Sequence, residues 1–199
     1  MGTPSVIGSV APGLLIAPPP LSDPNFDRTV VLVALHDEEG ALGFVLNRLA
    51  PLPLGELFRY AGLGEEATRH VGPVYLGGPV QPSSGWVLAL DPEPAAENAI
   101  AVGDRVRVSS SLAALRAFAE YLDAGPAGAI DPKRRMVLLG YSGWGPGQLD
   151  AELAAGAWLP VPLDEEIVFD PDVEKKWERA YQRLGLSMVG SMMRGGGEA

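Results

Sequence analysis

Apolar residues along this chain come in short runs, separated by glycine, proline and acidic residues. The run Thr29–His36 is rich in β-branched residues and long enough for a core strand. Asp37–Gly40 is polar and ends in glycine, and Ala41–Asn47 is apolar again, so the pair predicts an antiparallel hairpin. Both strands are apolar nearly throughout, which predicts a cover on each face. Shorter runs at Gly13–Ala17, Val74–Leu76, Gly85–Leu90, Ala157–Val161 and Ile167–Phe169 predict further strands. Asp104–Ser109 alternates polar and apolar residues, as a strand with one wet face does. The run Met136–Leu139 predicts one more strand, which leads into the glycine-rich corner Gly140–Gly147.

Helical spacing is confined to four segments. Leu54, Leu57, Phe58 and Ala61 recur at i, i+3, i+4 and i+7, with Gly62 as a stop. Leu112, Leu115, Ala119 and Leu122 line a second helix, capped by Ser110 or Ser111 and ended by Gly125 and Pro126. Leu149 and Leu153 stand one turn apart before Gly156. Asp170 and Pro171 form a cap followed by proline, and Val173, Trp177, Ala180, Tyr181 and Leu184 share the face of the helix that follows. Asp23–Asp27 is turn chemistry, and Gly64–His70 is a loop or a helical turn. Residues 1–9 read as a loose arm and residues 190–199 as a disordered tail. These short strands and four helices, without repeat or linker, predict one α+β domain over residues 1–199 with a largely antiparallel or mixed sheet.

Composition narrows the function classes. The chain has 199 residues, 47% hydrophobic and 20% charged, and no apolar run approaches the ~20 residues of a membrane span. No secretory signal is evident, and a cytoplasmic location is expected. With no cysteine, disulfides, thiol nucleophiles and thiolate metal ligands are excluded. The net charge of −10 disfavours a phosphate backbone as partner, and the one dense basic cluster, Lys133–Arg135, reads as a solvated approach to a strand.

Four candidates for chemistry stand out. Gly140-Tyr141-Ser142-Gly143-Trp144 misses the G-x-S-x-G nucleophile elbow, because Trp144 stands where close backbone approach requires glycine. Ser142 reads as a turn hydroxyl, and a hydrolase using Ser142 with His36 and Asp150 is the competing reading. His36 beside Asp37–Glu39 lacks the spacing of a metal site, and His70 has less support still, so no metal is expected. The corners Gly77-Gly78-Pro79 and Gly143–Gly147 fit no phosphate-loop pattern and read as tight turns beside Trp86, Tyr141 and Trp144.

Five segments, in order, resemble the YqgE/AlgH family of bacterial proteins: Pro12–Ala17, Asp23–Phe26, Gly43–Arg48, Tyr75–Val80 and Leu139–Leu149. The resemblance runs from about Gly8 to about Gly185. It implies a cytoplasmic α+β domain whose sheet is partly bifurcated or barrel-like and flanked by helices. It implies no reaction and no cofactor. Relatives bear the label of transcriptional regulator, yet this chain has no helix-turn-helix signature and the wrong charge for a duplex binder. Relatives vary between alanine and serine at the position of Ser142, which a required nucleophile does not tolerate. The expectation is a non-enzymatic module with an indirect regulatory role that binds a small molecule or a protein. Its site is expected at Asn47, Arg48, Gly77, Gly78, Pro79, Tyr141, Gly143, Trp144 and Gln148, with Asn47, Arg48 and Gln148 as the polar contacts.

Overall fold

In the computed structural model, which describes residues 8–19, 27–90, 99–124 and 135–185, the predicted hairpin lies at the middle of the sheet. It comprises β2 (Val30–Asp37) and β3 (Gly40–Val45), joined by Glu38 and Glu39. The Asp37 carboxylate accepts the Glu39 N–H at 2.9 Å and closes the turn. On one side follow β1 (Gly13–Ile16) and then β9 (Leu159–Pro162). On the other lie β8 (Arg135–Trp144), β5 (Val80–Leu90), β7 (Val106–Ser109) and β6 (Ile100–Val102). These neighbours all pair antiparallel, while β4 (Tyr75–Leu76) joins β8 in parallel. The sheet is mixed, largely antiparallel, and curled into a half-barrel.

Five α-helices flank it among the described residues, one more than expected: α1 (Leu54–Tyr60), α2 (Leu112–Ala124), α3 (Gln148–Ala154), α4 (Glu165–Val168) and α5 (Val173–Arg183). The extra one is α4, where Ile167–Phe169 was expected to be a strand. The Asp164 carboxylate accepts the N–H groups of Glu166 and Ile167, and this cap turns the segment helical. The cap of α5 also differs: Asp172, not Asp170, accepts the Lys175 N–H, and the helix begins at Val173. Ser111 is the α2 cap, accepting the Ala114 N–H at 3.0 Å. Leu112, predicted on the buried face, is 48% exposed, and Phe118 is buried instead. The three-residue β6 carried no readable pattern. The turn at Asp23–Phe26, Gly125, Pro126, Lys133, Arg134, most of the N-terminal arm and the C-terminal tail lie outside the described residues.

Apolar side chains form three clusters, because the curled sheet has an inner face and its outer face is covered in two places. The inner cluster holds Leu14, Ile16, Leu32, Phe44, Leu88, Val108, Met136 and Leu138, closed by α4 and α5. Outside, α1 and α2 pack on Val87, Val137 and Leu139. Beside them, Leu149 of α3 packs with Val31, Val33, Val45, Trp144 and Trp158. Both faces of the hairpin are therefore covered from Val30 to Ala34, but Leu35 beyond them is 44% exposed.

Gly140 decides which residues of β8 face which cluster. Met136 and Leu138 point inward, and Val137 and Leu139 outward. At Gly140 the backbone turns left-handed (φ +67°) and the alternation shifts by one. Tyr141 then packs on the inner cluster, and Trp144 belongs to the outer one. A Cβ at Gly140 would lie 2.5 Å from the Gly78 carbonyl oxygen. Gly140→Ala is therefore expected to destabilise by about 2–4 kcal/mol, through strain and backbone collision together. Gly143→Ala is the control, because its nearest neighbour is the Tyr141 ring at 3.4 Å. Urea unfolding of both variants checks the contrast; equal losses would remove the special role of Gly140.

Candidate functional site

The nine residues expected at one site occupy three places. In the first, the two glycine corners meet. A Cβ at Gly78 would lie 2.2 Å from the Tyr141 carbonyl carbon, and one at Gly77 2.5 Å from the Gly140 oxygen. The Gly77 N–H donates to Leu139 O at 2.7 Å, and Gly77 O accepts the Val45 N–H at 2.8 Å. Backbone fills the space between the corners. Pro79 is exposed, as is Gly143. Trp86 packs edge-on to Phe44 and Tyr141, so these aromatics belong to the edge of the core.

Ser142 is not a turn residue. Strand β8 runs on to Trp144, and the corner falls at Gly145–Gly147. The Ser142 side chain is buried and its hydroxyl donates to Gly77 O at 3.3 Å. His36 and Asp150 do pair, Nε2 to Oδ2 at 3.6 Å. However, His36 Nδ1, the nitrogen a triad would turn toward its nucleophile, accepts the Val10 N–H at 3.2 Å. The dyad fastens the N-terminal segment to α3 and does not address Ser142. His70 is buried edge-on to Phe58, with Nε2 3.0 Å from Asp123. Among the described residues, no three His, Cys, Asp or Glu side chains are grouped to hold a metal.

The second place is a polar knot on α3. Glu152 Oε2 accepts the indole N–H groups of Trp144 (2.8 Å) and Trp158 (2.7 Å), and Oε1 accepts Gln148 Nε2 at 2.9 Å. Gln148 Oε1 accepts the Gly145 N–H in turn. The two indoles meet edge-on at 6.2 Å. Trp144 and Gln148 thus hold the corner together. Glu152, in the second turn of α3, is the group they share.

The third place has a cavity. Asn47 Oδ1 accepts the Val30 N–H at 3.0 Å and its Nδ2 donates to Arg28 O at 2.8 Å, clamping the chain that leads into β2. Arg28, one of the two residues so anchored, is left-handed at φ +49°, unusual for a residue with a side chain. Its guanidinium lies over the Trp177 ring, 5.5 Å from the centroid. Arg48 donates to the Asp27 carbonyl. Arg28, Asn47, Arg48, Val173, Glu174, Trp177 and Glu178 line a cavity of about 340 Å³. Neither glycine corner contributes to it.

Lys176 was missed by the sequence reading. It is fully buried on α5, where Nζ donates to Val168 O at 2.9 Å and stands 5.9 Å from the Tyr75 ring centroid. Burial pulls its ammonium down from the ordinary 10.5 to about 7, against the opposing pull of Asp170. Desolvation acts to raise Asp170, but Arg179 and the Asp172 N–H outweigh it, and the carboxyl is lowered overall. Burial, and then Asp170, raise the Tyr75 phenol. A second cavity, of about 450 Å³, lies on this flank of α5, lined by Leu90, Glu165, Glu166, Phe169, Asp170, Pro171 and Arg179.

A model of the AlgH-like family matches residues 14–189. This chain belongs to the AlgH-like family. Among relatives, a UPF0301 protein of Anaeromyxobacter dehalogenans strain 2CP-1 is 44% identical over 195 residues, covering 94% of each chain. One from Myxococcus xanthus is 43% identical over 178 residues, covering 89% of this chain and 92% of the other. The solution structure of the AlgH protein from Pseudomonas aeruginosa superposes with a TM-score of 0.73 at 33% identity, over 100% of this chain and 99% of that one. A crystal structure from Corynebacterium diphtheriae shares the fold, with a TM-score of 0.66 at 22% identity over 89% of this chain and 88% of that one. The family match covers strands and helices that build all three places. No helix among the described residues is long and apolar enough to cross a membrane.

Proposed function

We propose that this member of the family is a non-enzymatic, cytoplasmic binding module whose site is the cavity between Arg28, Arg48 and Trp177. The observation that carries the reading is the strained Arg28, held by Asn47 with its guanidinium on the Trp177 indole at a concave surface. Among the described residues no carboxylate pairs with Arg28 or Arg48, whose planar forks suit carboxylate or phosphate oxygens. The ligand class is a small organic acid, its acid group on the arginines and the rest in the cavity beside the Arg28-covered indole. Glu174 and Glu178 line the α5 wall and repel an acidic group from that side, which orients it toward the arginines. Any regulatory role is then indirect, through the ligand, and the net charge of −10 sets the protein against duplex DNA.

Support against an enzyme comes from Ser142, whose hydroxyl is buried and turned to a backbone carbonyl. The test is a titration with a panel of aromatic and aliphatic acids, followed by amide NMR shifts and Trp177 emission. Compounds that bind should perturb Arg28, Arg48 and Trp177, and Arg48→Ala should weaken them tenfold or more, the worth of one charged hydrogen bond. Perturbations confined to the Tyr141–Gln148 corner, or none from any acid, would discard the assignment.

A further inference from the structure

Helix α5 forms one wall of both cavities and covers the inner cluster with Trp177, Ala180 and Tyr181. Lys176 stands in the middle of that covering face, with no exposed surface. A neutral amine fits the place, donating to Val168 O and leaving little unmet. An ammonium fits poorly, because it has three donors and, among the described residues, this one hydrogen bond. The groups that face it come from each neighbouring element. Strand β4 supplies the Tyr75 ring, and the segment after α4 supplies Asp170. The Asp170 carboxylate is already engaged by Arg179 and by the Asp172 N–H. The strands β1 and β2 beneath α5 contribute Leu14, Ile16, Val30, Leu32 and Ala34 to the inner cluster that the helix covers. Among the described residues, the Tyr75 ring and the already engaged Asp170 are what a charge would meet while α5 is docked.

We infer that α5 is a proton-sensitive latch, held most firmly while the Lys176 amine is neutral and loosened when that amine takes a proton. Release hydrates the ammonium and exposes the Trp177–Tyr181 face. It also loosens the wall of the cavity assigned above, so a fall in pH toward 7 would weaken the hold on whatever is bound there. The latch itself does not depend on that assignment. Its range follows from the near-neutral value that burial gives the docked amine: opening takes up one proton between about pH 7 and pH 10.5, and below 7 the effect is complete.

The test is amide hydrogen exchange along α5 in the full chain, corrected for intrinsic rates, from pH 9 to pH 7. The opening constant should rise about tenfold from pH 9 to pH 8, and by less as pH 7 is approached. Lys176→Met should abolish that slope. Should the variant not fold, the wild-type slope and an NMR titration of the Lys176 amine decide. An amine that titrates in the ordinary lysine range in the folded protein overturns the latch. So does α5 protection that ignores pH, or a slope that survives in Lys176→Met.

Discussion

Lys176→Met is expected to make the protein more stable at pH 7, by about 1–3 kcal/mol, and to lose that advantage as the pH is raised to 10.5. Methionine matches the unbranched stem of lysine and fills irregular apolar space. The sign follows from the proton count. The folded amine titrates near 7 and an unfolded one near 10.5. Between those values the unfolded chain binds one more proton than the folded chain. Wild-type stability therefore rises with pH across the window, by about 1.4 kcal/mol per unit. Below pH 7 the penalty is complete, on the order of 4–5 kcal/mol, and above 10.5 it is absent. Against the gain stands the Val168 carbonyl, which loses its donor in the variant, at about 1–3 kcal/mol. At pH 10.5 only that loss remains, so the order of stability reverses. Urea unfolding at intervals from pH 6 to 10.5 checks this. Parallel curves for variant and wild type would show that Lys176 is not a buried neutral amine.

Glu152→Ala is expected to destabilise by about 3 kcal/mol. The carboxylate serves two indole N–H groups, on side chains only 7% and 4% exposed, and the Gln148 amide. Alanine leaves both indoles without this acceptor in apolar surroundings, where an unmet donor costs about 1–3 kcal/mol. Glu152→Gln keeps one acceptor oxygen and should lose about half as much. Near-ultraviolet circular dichroism should report the edge-on indole pair loosening along with the lost stability. A Glu152→Ala protein within 0.5 kcal/mol of wild type would reduce the knot to a surface contact.

Local pattern was enough for much of the fold. The hairpin followed from a β-branched run, an acidic turn and a second apolar run, and α1 and α3 from leucines at helical spacing with glycine stops. Where the reading failed, competing local signals were resolved by a cap. Ile167–Phe169 has the composition of a strand, yet Asp164 ties the segment into α4. Lys176 had a signal of its own that went unread: Val173, Lys176, Trp177, Ala180 and Tyr181 form one stripe, and the lysine occupies a core position in it.

The candidate site was less legible. Asn47 and Arg48 do line a cavity, but their companions Arg28 and Trp177 are distant in sequence and meet only when α5 docks against the sheet. The glycine corners were read as tight turns and also placed in the site; the structure brings their backbones together, and glycine that admits a ligand and glycine that admits another strand look alike in sequence. By itself the sequence determined the α+β class, the hairpin and most helices, since periodicity, capping and turn chemistry act over a few neighbouring residues; the family came from five segments that resemble it. Only the tertiary structure decided that Ser142 lies in a strand and that Trp144 and Trp158 share Glu152. It alone placed a lysine beneath α5 and a cavity beside it, because those depend on which distant segments pack together and on how much water they leave.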